Sequence, residues 1–274
     1  MKKLFVILCF CIFSMNSLFA QDDQSLKEAE ESVNDKSATL NFGADIMSRY
    51  IWRGFDFGNS PTIQPNLYFS WRGLNIGAWG SYSFAPYTNI VNNTVVDMGN
   101  YSEMDLYMSY TLKWFTLMVF DYFVPNGLDP DYTGISAYQY FNYNNKTTGH
   151  GIEVSLSFAG PPAFPIKFYA GTIVYGMDKA KDSLGFYANP DKNNFSTYLE
   201  LSYPVSFRKI DLNFFAGGTP FGGSWYGPDA GFTNVGLSAK KAIPITKTYC
   251  LPVQASLVVN PNTQKVFLVF GISF

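Results

Sequence analysis

One histidine, His150, occurs in the chain. With a serine nucleophile and an orienting acid it would be a general base for hydrolysis. Ser155 and Ser157 lie close by and share the parity of Gly151 and Glu153, while His150 takes the opposite parity. Alternate residues of a strand point to opposite faces, so the imidazole and these hydroxyls are expected on different faces. No nucleophile motif accompanies them, and the chain is read as not an enzyme, with no catalytic residue assigned. Asp121, Asp129 and Asp131 around Asn126-Gly127 raise the question of calcium. They lack the loop spacing and closing Glu of a calcium loop, and Asn-Gly and Asp-Pro pairs serve turns. No metal and no cofactor are expected. The remaining charges are spaced for another task. Asp45, Arg49, Arg53, Glu103, Asp105, Glu153, Lys167, Glu200, Asp211 and Lys240 all take the polar parity of alternating segments. There they would line a pore and bias ion passage through its local potential.

The elements that must position them are strands. In the last stretch Val266, Leu268, Phe270, Ile272 and Phe274 alternate with Phe267, Val269, Gly271 and Ser273. A period of two marks a strand whose faces meet different surroundings. From Thr39, the residues Leu40, Phe42, Ala44, Ile46, Tyr50 and Trp52 share an apolar face against Asn41, Gly43, Asp45, Met47, Arg49 and Arg53. Similar runs recur from Ile63 to Trp71, Leu74 to Phe84, Met104 to Leu112, Phe115 to Phe123, Ile152 to Phe158 and Ile166 to Val174. They continue from Phe195 to Tyr203, Ile210 to Ala216, Phe232 to Lys240 and Leu251 to Val259. Neither parity of Phe115 to Phe123 is cleanly apolar. These runs predict an all-β, up-and-down antiparallel barrel of about twelve strands that crosses a membrane.

The connections alternate in length. Phe55 to Ser60, Ala85 to Asn100, Val124 to Gly149, Gly176 to Asn194 and Gly218 to Gly231 are long, polar or Gly-rich, and those between them are mostly short. Asn260 to Lys265 is short as well. Outer-membrane barrels have long loops outside the cell and short periplasmic turns. Trp52, Trp71 and Trp114 fall at strand ends, where aromatic girdles meet headgroups. Gly43, Gly77, Gly151, Gly171, Gly217, Gly236 and Gly271 on the polar parity are expected to leave space in the bore.

Composition agrees. The chain has 47% hydrophobic, 18% aromatic and 15% charged residues, where a soluble protein has about a quarter charged. No segment beyond residue 20 is long and apolar enough for a membrane helix. Residues 1–20 read as a cleaved signal peptide: Lys2 and Lys3, an apolar run from Leu4 to Phe13, and Ala20 before Gln21. Residues 21–37 read as a flexible acidic periplasmic leader, and residues 38–274 as the barrel. Cys9 and Cys11 would leave with the signal, so Cys250 alone excludes an internal disulfide. Nothing suggests nucleic-acid binding.

The stretch Ala44-Asp45-Ile46-Met47-Ser48-Arg49-Tyr50-Ile51-Trp52-Arg53-Gly54, then Pro61 to Gln64, then Gly73-Leu74-Asn75-Ile76-Gly77-Ala78-Trp79-Gly80-Ser81, resembles the opening of the TorF-family porins. Arg49 stands where that family carries Asp, and Phe55-Asp56-Phe57 replaces an Ile-Ser-Gln-like stretch. The resemblance covers about the first fifth of the mature chain. It implies a Gram-negative outer-membrane barrel, inserted in lipid by the barrel-assembly machinery, and it names no solute.

Three functions are therefore carried forward. The first is a porin-like channel for passive diffusion of small polar solutes or ions, narrow or partly plugged, with weak cation preference. The second is a non-conducting barrel that binds a ligand or partner through its outer loops. The third is an outer-membrane hydrolase built on His150.

Overall fold

Alternation of apolar and polar residues gives each strand one face that sheds water and one that tolerates polar neighbours. When every strand carries it and the sheet curls, the two faces become an outside and an inside. In the computed structural model, which describes residues 37–91, 94–128, 135–181 and 188–274, this occurs with full closure. The strands are β1 (Thr39–Met47), β2 (Tyr50–Trp52), β3 (Phe55–Phe57), β4 (Thr62–Trp71), β5 (Leu74–Val91) and β6 (Thr94–Leu112). Next come β7 (Phe115–Phe123), β8 (Asn126–Leu128), β9 (Ile135–Ala137), β10 (His150–Ala159), β11 (Lys167–Gly176) and β12 (Lys179–Lys181). The chain ends with β13 (Ala188–Asn193), β14 (Thr197–Phe207), β15 (Ile210–Thr219), β16 (Gly231–Pro244), β17 (Cys250–Asn260) and β18 (Lys265–Ser273). Twelve of them close an antiparallel barrel in the order β1-β18-β17-β16-β15-β14-β11-β10-β7-β6-β5-β4. The other six form three small hairpins, β2-β3, β8-β9 and β12-β13. The expected signal peptide and nearly all of the acidic leader lie outside the described residues, as do Asp129 and Asp131.

The seam between β18 and β1 pairs Asp45 with Ser273, Ile46 with Ile272 and Met47 with Gly271. No barrel strand is left as an open edge, so its backbone groups have partners all round. Phe42, Leu67, Phe69, Leu117, Leu268 and Phe270 are exposed on the outer face, while Asn66, Ser81, Ser109, Ser155, Ser202 and Ser256 are buried on the inner one. In β7, Phe115 and Leu117 point out, and Phe120 and Tyr122 are buried inside. Its parity was ambiguous because the inner face there is aromatic.

Three expectations need correction. Ala85 to Asn100 is not a loop: β5 and β6 stay paired beyond the barrel rim out to Val91 and Thr94, with register shifts after Tyr82 and Tyr87. The β-branched run at Ile90-Val91 and Val95-Val96 favours extended backbone. The first strand ends at Met47, and Trp52 belongs to no girdle, because it is buried inside. Gly77, Gly151, Gly171 and Gly217 do not open space in the bore. A Cβ on Gly77, Gly171 or Gly217 would stand within 3 Å of Tyr107, Tyr169 or Tyr198 side-chain atoms, and one on Gly151 would strike the Trp225 ring. Each glycine is a slot that a neighbouring ring already fills.

Candidate functional site

Between β1 and β4 the chain leaves the barrel wall and turns into the bore. Met47 and Thr62 remain register partners across β1 and β4, so everything from Ser48 to Pro61 is an insertion at one rim. Its core is the hairpin of β2 and β3, pairing Tyr50 with Phe57 and Trp52 with Phe55. Arg53 and Gly54 form the tip, both at positive φ, 50° and 84°. This is the backbone of a two-residue hairpin turn that follows strand twist. The tip meets the barrel wall at β16: a Cβ on Gly54 would lie 1.7 Å from the Thr233 carbonyl oxygen. Asn260 donates its side-chain N–H to the Gly54 carbonyl at 3.0 Å.

The hairpin fills the bore from wall to wall. Tyr50 and Trp52 pack among Trp79, Tyr101, Tyr122 and Tyr226. Ile51, on the opposite face, packs with Met47, Phe215, Val258 and Val269. Trp52 makes edge contacts with Tyr122 and Trp225 at 5.6 Å each. Trp225 and Tyr226 come from the connection between β15 and β16. Asp178 fixes that connection by accepting from the Ser224 hydroxyl at 2.5 Å and from the Ser196 amide at 2.7 Å.

At the tip, Arg53 enters a cage. Its Nη1 and Nη2 donate to Glu153 at 2.6 and 2.9 Å, a bidentate pair. Nη2 also donates to the Tyr169 hydroxyl at 2.6 Å, and Nη1 to the Tyr226 hydroxyl. Its Cζ lies 4.4 Å from the Trp52 ring centroid, 5.0 Å from Tyr169, 4.7 Å from Tyr198 and 5.6 Å from Tyr226. Tyr169 and Tyr122 in turn donate to Glu153. A buried charge is tolerated when paired and hydrogen-bonded in this way.

The other expected pore-lining residues are spread through the barrel. Glu200 is buried on β14 and accepts from Tyr198 and from Asn234 at 2.9 Å. Glu103 accepts from the Tyr101 hydroxyl at 2.8 Å, and buried Asp105 accepts from the Phe123 amide at 3.2 Å. Asp45 sits on the inner parity of β1 opposite Ser273. Lys167 opens β11. Asp211 and Lys240 are cross-strand partners near the short turns, and Asp211 is exposed and accepts from the Ser206 hydroxyl. Arg49 belongs to the insertion, not to a barrel strand, and pairs with Asp56 there. The structure thus brings Arg53, Glu153 and Glu200 together around one set of tyrosines and leaves Arg49, Asp45, Lys167, Asp211 and Lys240 apart from it.

The cage tyrosines Tyr169, Tyr198 and Tyr226 were not singled out from sequence. A signal for the hairpin was present: Trp52-Arg53-Gly54-Phe55 repeats the pattern of the Trp71-Arg72-Gly73-Leu74 turn.

His150 and Asp121 do form a pair, 2.7 Å from Nδ1 to the carboxylate. They lie on the outer parity, while Ser155 is buried in the lumen. Nε2, the nitrogen that would serve a nucleophile, is 2.6 Å from the Tyr140 carbonyl. Tyr143 stacks on the imidazole at 4.1 Å and donates to Asp121 at 2.8 Å. Burial and that carboxylate hold its phenol well above the usual value. The cluster ties residues 138–149 down on the barrel rim, and Asp121 is thereby engaged in it. No family model matches the chain, and no curated protein matches it closely enough to count as a relative.

Proposed function

We propose that the chain is an outer-membrane barrel and a porin-like channel for small polar solutes or ions, held closed by its inward hairpin. The observation that carries the membrane reading is the outer face. Leu40, Phe42, Leu67, Ile76, Met108, Leu117, Leu156, Phe168, Leu201, Phe232, Leu257 and Leu268 stand exposed on eleven of the twelve barrel strands. Such a continuous apolar surface marks a site of contact with other molecules or a membrane, and a closed barrel is one of two architectures that lipid accepts. The resemblance to TorF-family porins and the signal-like residues 1–20 agree with insertion by the barrel-assembly machinery.

The channel reading rests on the half of the bore away from the hairpin. There Ser109, Thr111, Ser202, Asn213, Ser238 and Ser256 line the inner face, small polar groups that suit hydrated solutes. A second reading, a non-conducting barrel that works through its outer loops, draws on the wall-to-wall packing of the hairpin. Swelling of proteoliposomes in isotonic small sugars or amino acids distinguishes them. The channel reading expects slow swelling with wild type and faster swelling with Glu153→Gln, which weakens the hold on Arg53. Swelling equal to that of empty liposomes for both proteins would favour the binding barrel.

A further inference from the structure

The walls of the Arg53 cage come almost wholly from outside the hairpin. Glu153 is on β10, Tyr169 on β11, Tyr198 on β14, and Tyr226 on the connection between β15 and β16. Only Trp52 moves with Arg53. Without Arg53, the barrel would keep a carboxylate ringed by phenols. Glu200 adds a second acid, reached through the Tyr198 hydroxyl, and its Oε1 has no hydrogen-bond partner among the described residues. An acid in such surroundings is costly unless a cation returns to it.

The geometry selects the cation. Two parallel N–H groups meet both oxygens of Glu153, and the same two nitrogens reach the Tyr169 and Tyr226 hydroxyls. The rings of Tyr169, Tyr198 and Tyr226 stand 4.7–5.6 Å from the central carbon. A planar fork with donors on two nitrogens fits this arrangement. A compact ammonium supplies three donors from one point and cannot span it.

We propose that the bore contains a guanidinium-selective site, occupied in the closed state by Arg53 itself, and that a small solute bearing a guanidinium group takes Arg53's place. This rests on the channel reading for its consequence, since displacement would free the hairpin, but the site can be tested without any conduction.

The test uses full-length refolded Arg53→Ala, which keeps the hairpin and empties the cage. Its heat-modification midpoint is titrated with methylguanidinium chloride and with methylammonium chloride at matched ionic strength. Methylguanidinium should raise the midpoint at about tenfold lower concentration, the preference that a bidentate site gives a planar fork. Arg53→Ala/Glu153→Gln should respond alike to both salts. Equal responses of Arg53→Ala to both salts, or a preference that survives Glu153→Gln, would overturn the proposal. If Arg53→Ala does not assemble, Arg53→Lys takes the same titration. It keeps a cation at Glu153 without the fork, so it should prefer methylguanidinium at higher concentrations, and its indifference would overturn the site equally. Conductance of the same variants separates the two ideas. A guanidinium preference in barrels that never conduct supports the site and removes the channel, while conduction without that preference removes the site alone.

Discussion

Trp52-Arg53-Gly54 and Trp71-Arg72-Gly73 are the same turn placed in two surroundings. Their backbones agree closely, with φ of 50° and 84° in one and 49° and 83° in the other. In both, the arginine lies over its tryptophan, at 4.4 and 5.2 Å. Yet Trp52 is 5% exposed and Trp71 43%. One turn caps β4 and β5 at the rim with the short connections, and the other is driven across the lumen. Local sequence therefore specified the bend, and tertiary packing decided its use. A barrel twelve strands round is wide enough to need filling and too narrow to ignore what fills it.

If burial is what separates the turns, matched substitutions should part them. Arg53→Ala leaves Glu153 buried without its cation and should weaken docking of the hairpin by about 3–5 kcal/mol. Arg72→Ala at the exposed turn should stay within about 0.5 kcal/mol. Urea titrations of both variants in lipid vesicles compare them, and equal losses would mean that the cage does not hold the hairpin. Glycine at the second turn position sharpens the contrast. Gly73→Ala should cost about 1–2 kcal/mol for the left-handed backbone. Gly54→Ala should cost more than that, because its Cβ would also collide with the Thr233 carbonyl. A smaller effect at Gly54 than at Gly73, read from the same titrations, would deny that the tip touches the wall at β16. Among substitutions at the hairpin tip, the smallest change is expected from Asn260→Ala, which removes its hydrogen bonds to the Gly54 carbonyl and from the Thr263 amide and should cost about 0.5–1.5 kcal/mol for each. No loss at all would show that the tip is held by the cage without help from β17.

How much of this was legible in the sequence follows from the same division. The outward faces could be read because alternation there has one demand, apolar side chains at every second residue, and Val266 to Phe274 meets it without exception. The inner face obeys no such single demand. Tyr122 points inward because Trp52 and Trp225 receive it, and Phe120 packs on Tyr122 and Tyr107; the two tryptophans come from segments distant in sequence. The glycines failed for a related reason: Gly217 signals a neighbour that needs room, here Tyr198, and sequence alone does not distinguish a filled slot from an open one. Tyr50 and Trp52 read as outward because they continue the parity of Leu40 to Ile46 across Ser48-Arg49, where the strand has already ended. Alternation gives Glu153 and Glu200 their inward parity, but the tyrosines that make Arg53 and Glu153 into a site are separated along the chain and carry no local motif.

Centrally, we propose that the inward hairpin is what shuts the bore, with the wall tyrosines and Trp225 packed against it. Because Met47 and Thr62 are register partners, Ser48 to Pro61 can be excised and replaced by Asn-Gly, a two-residue turn that joins antiparallel strands. All twelve barrel strands stay continuous in this variant. The direct measurement is its single-channel conductance in a planar bilayer beside that of wild type, with heat modification confirming assembly of both. The account predicts large, persistent steps from the excised barrel and closed or far smaller ones from wild type. An assembled excised barrel that conducts no better than wild type would contradict it.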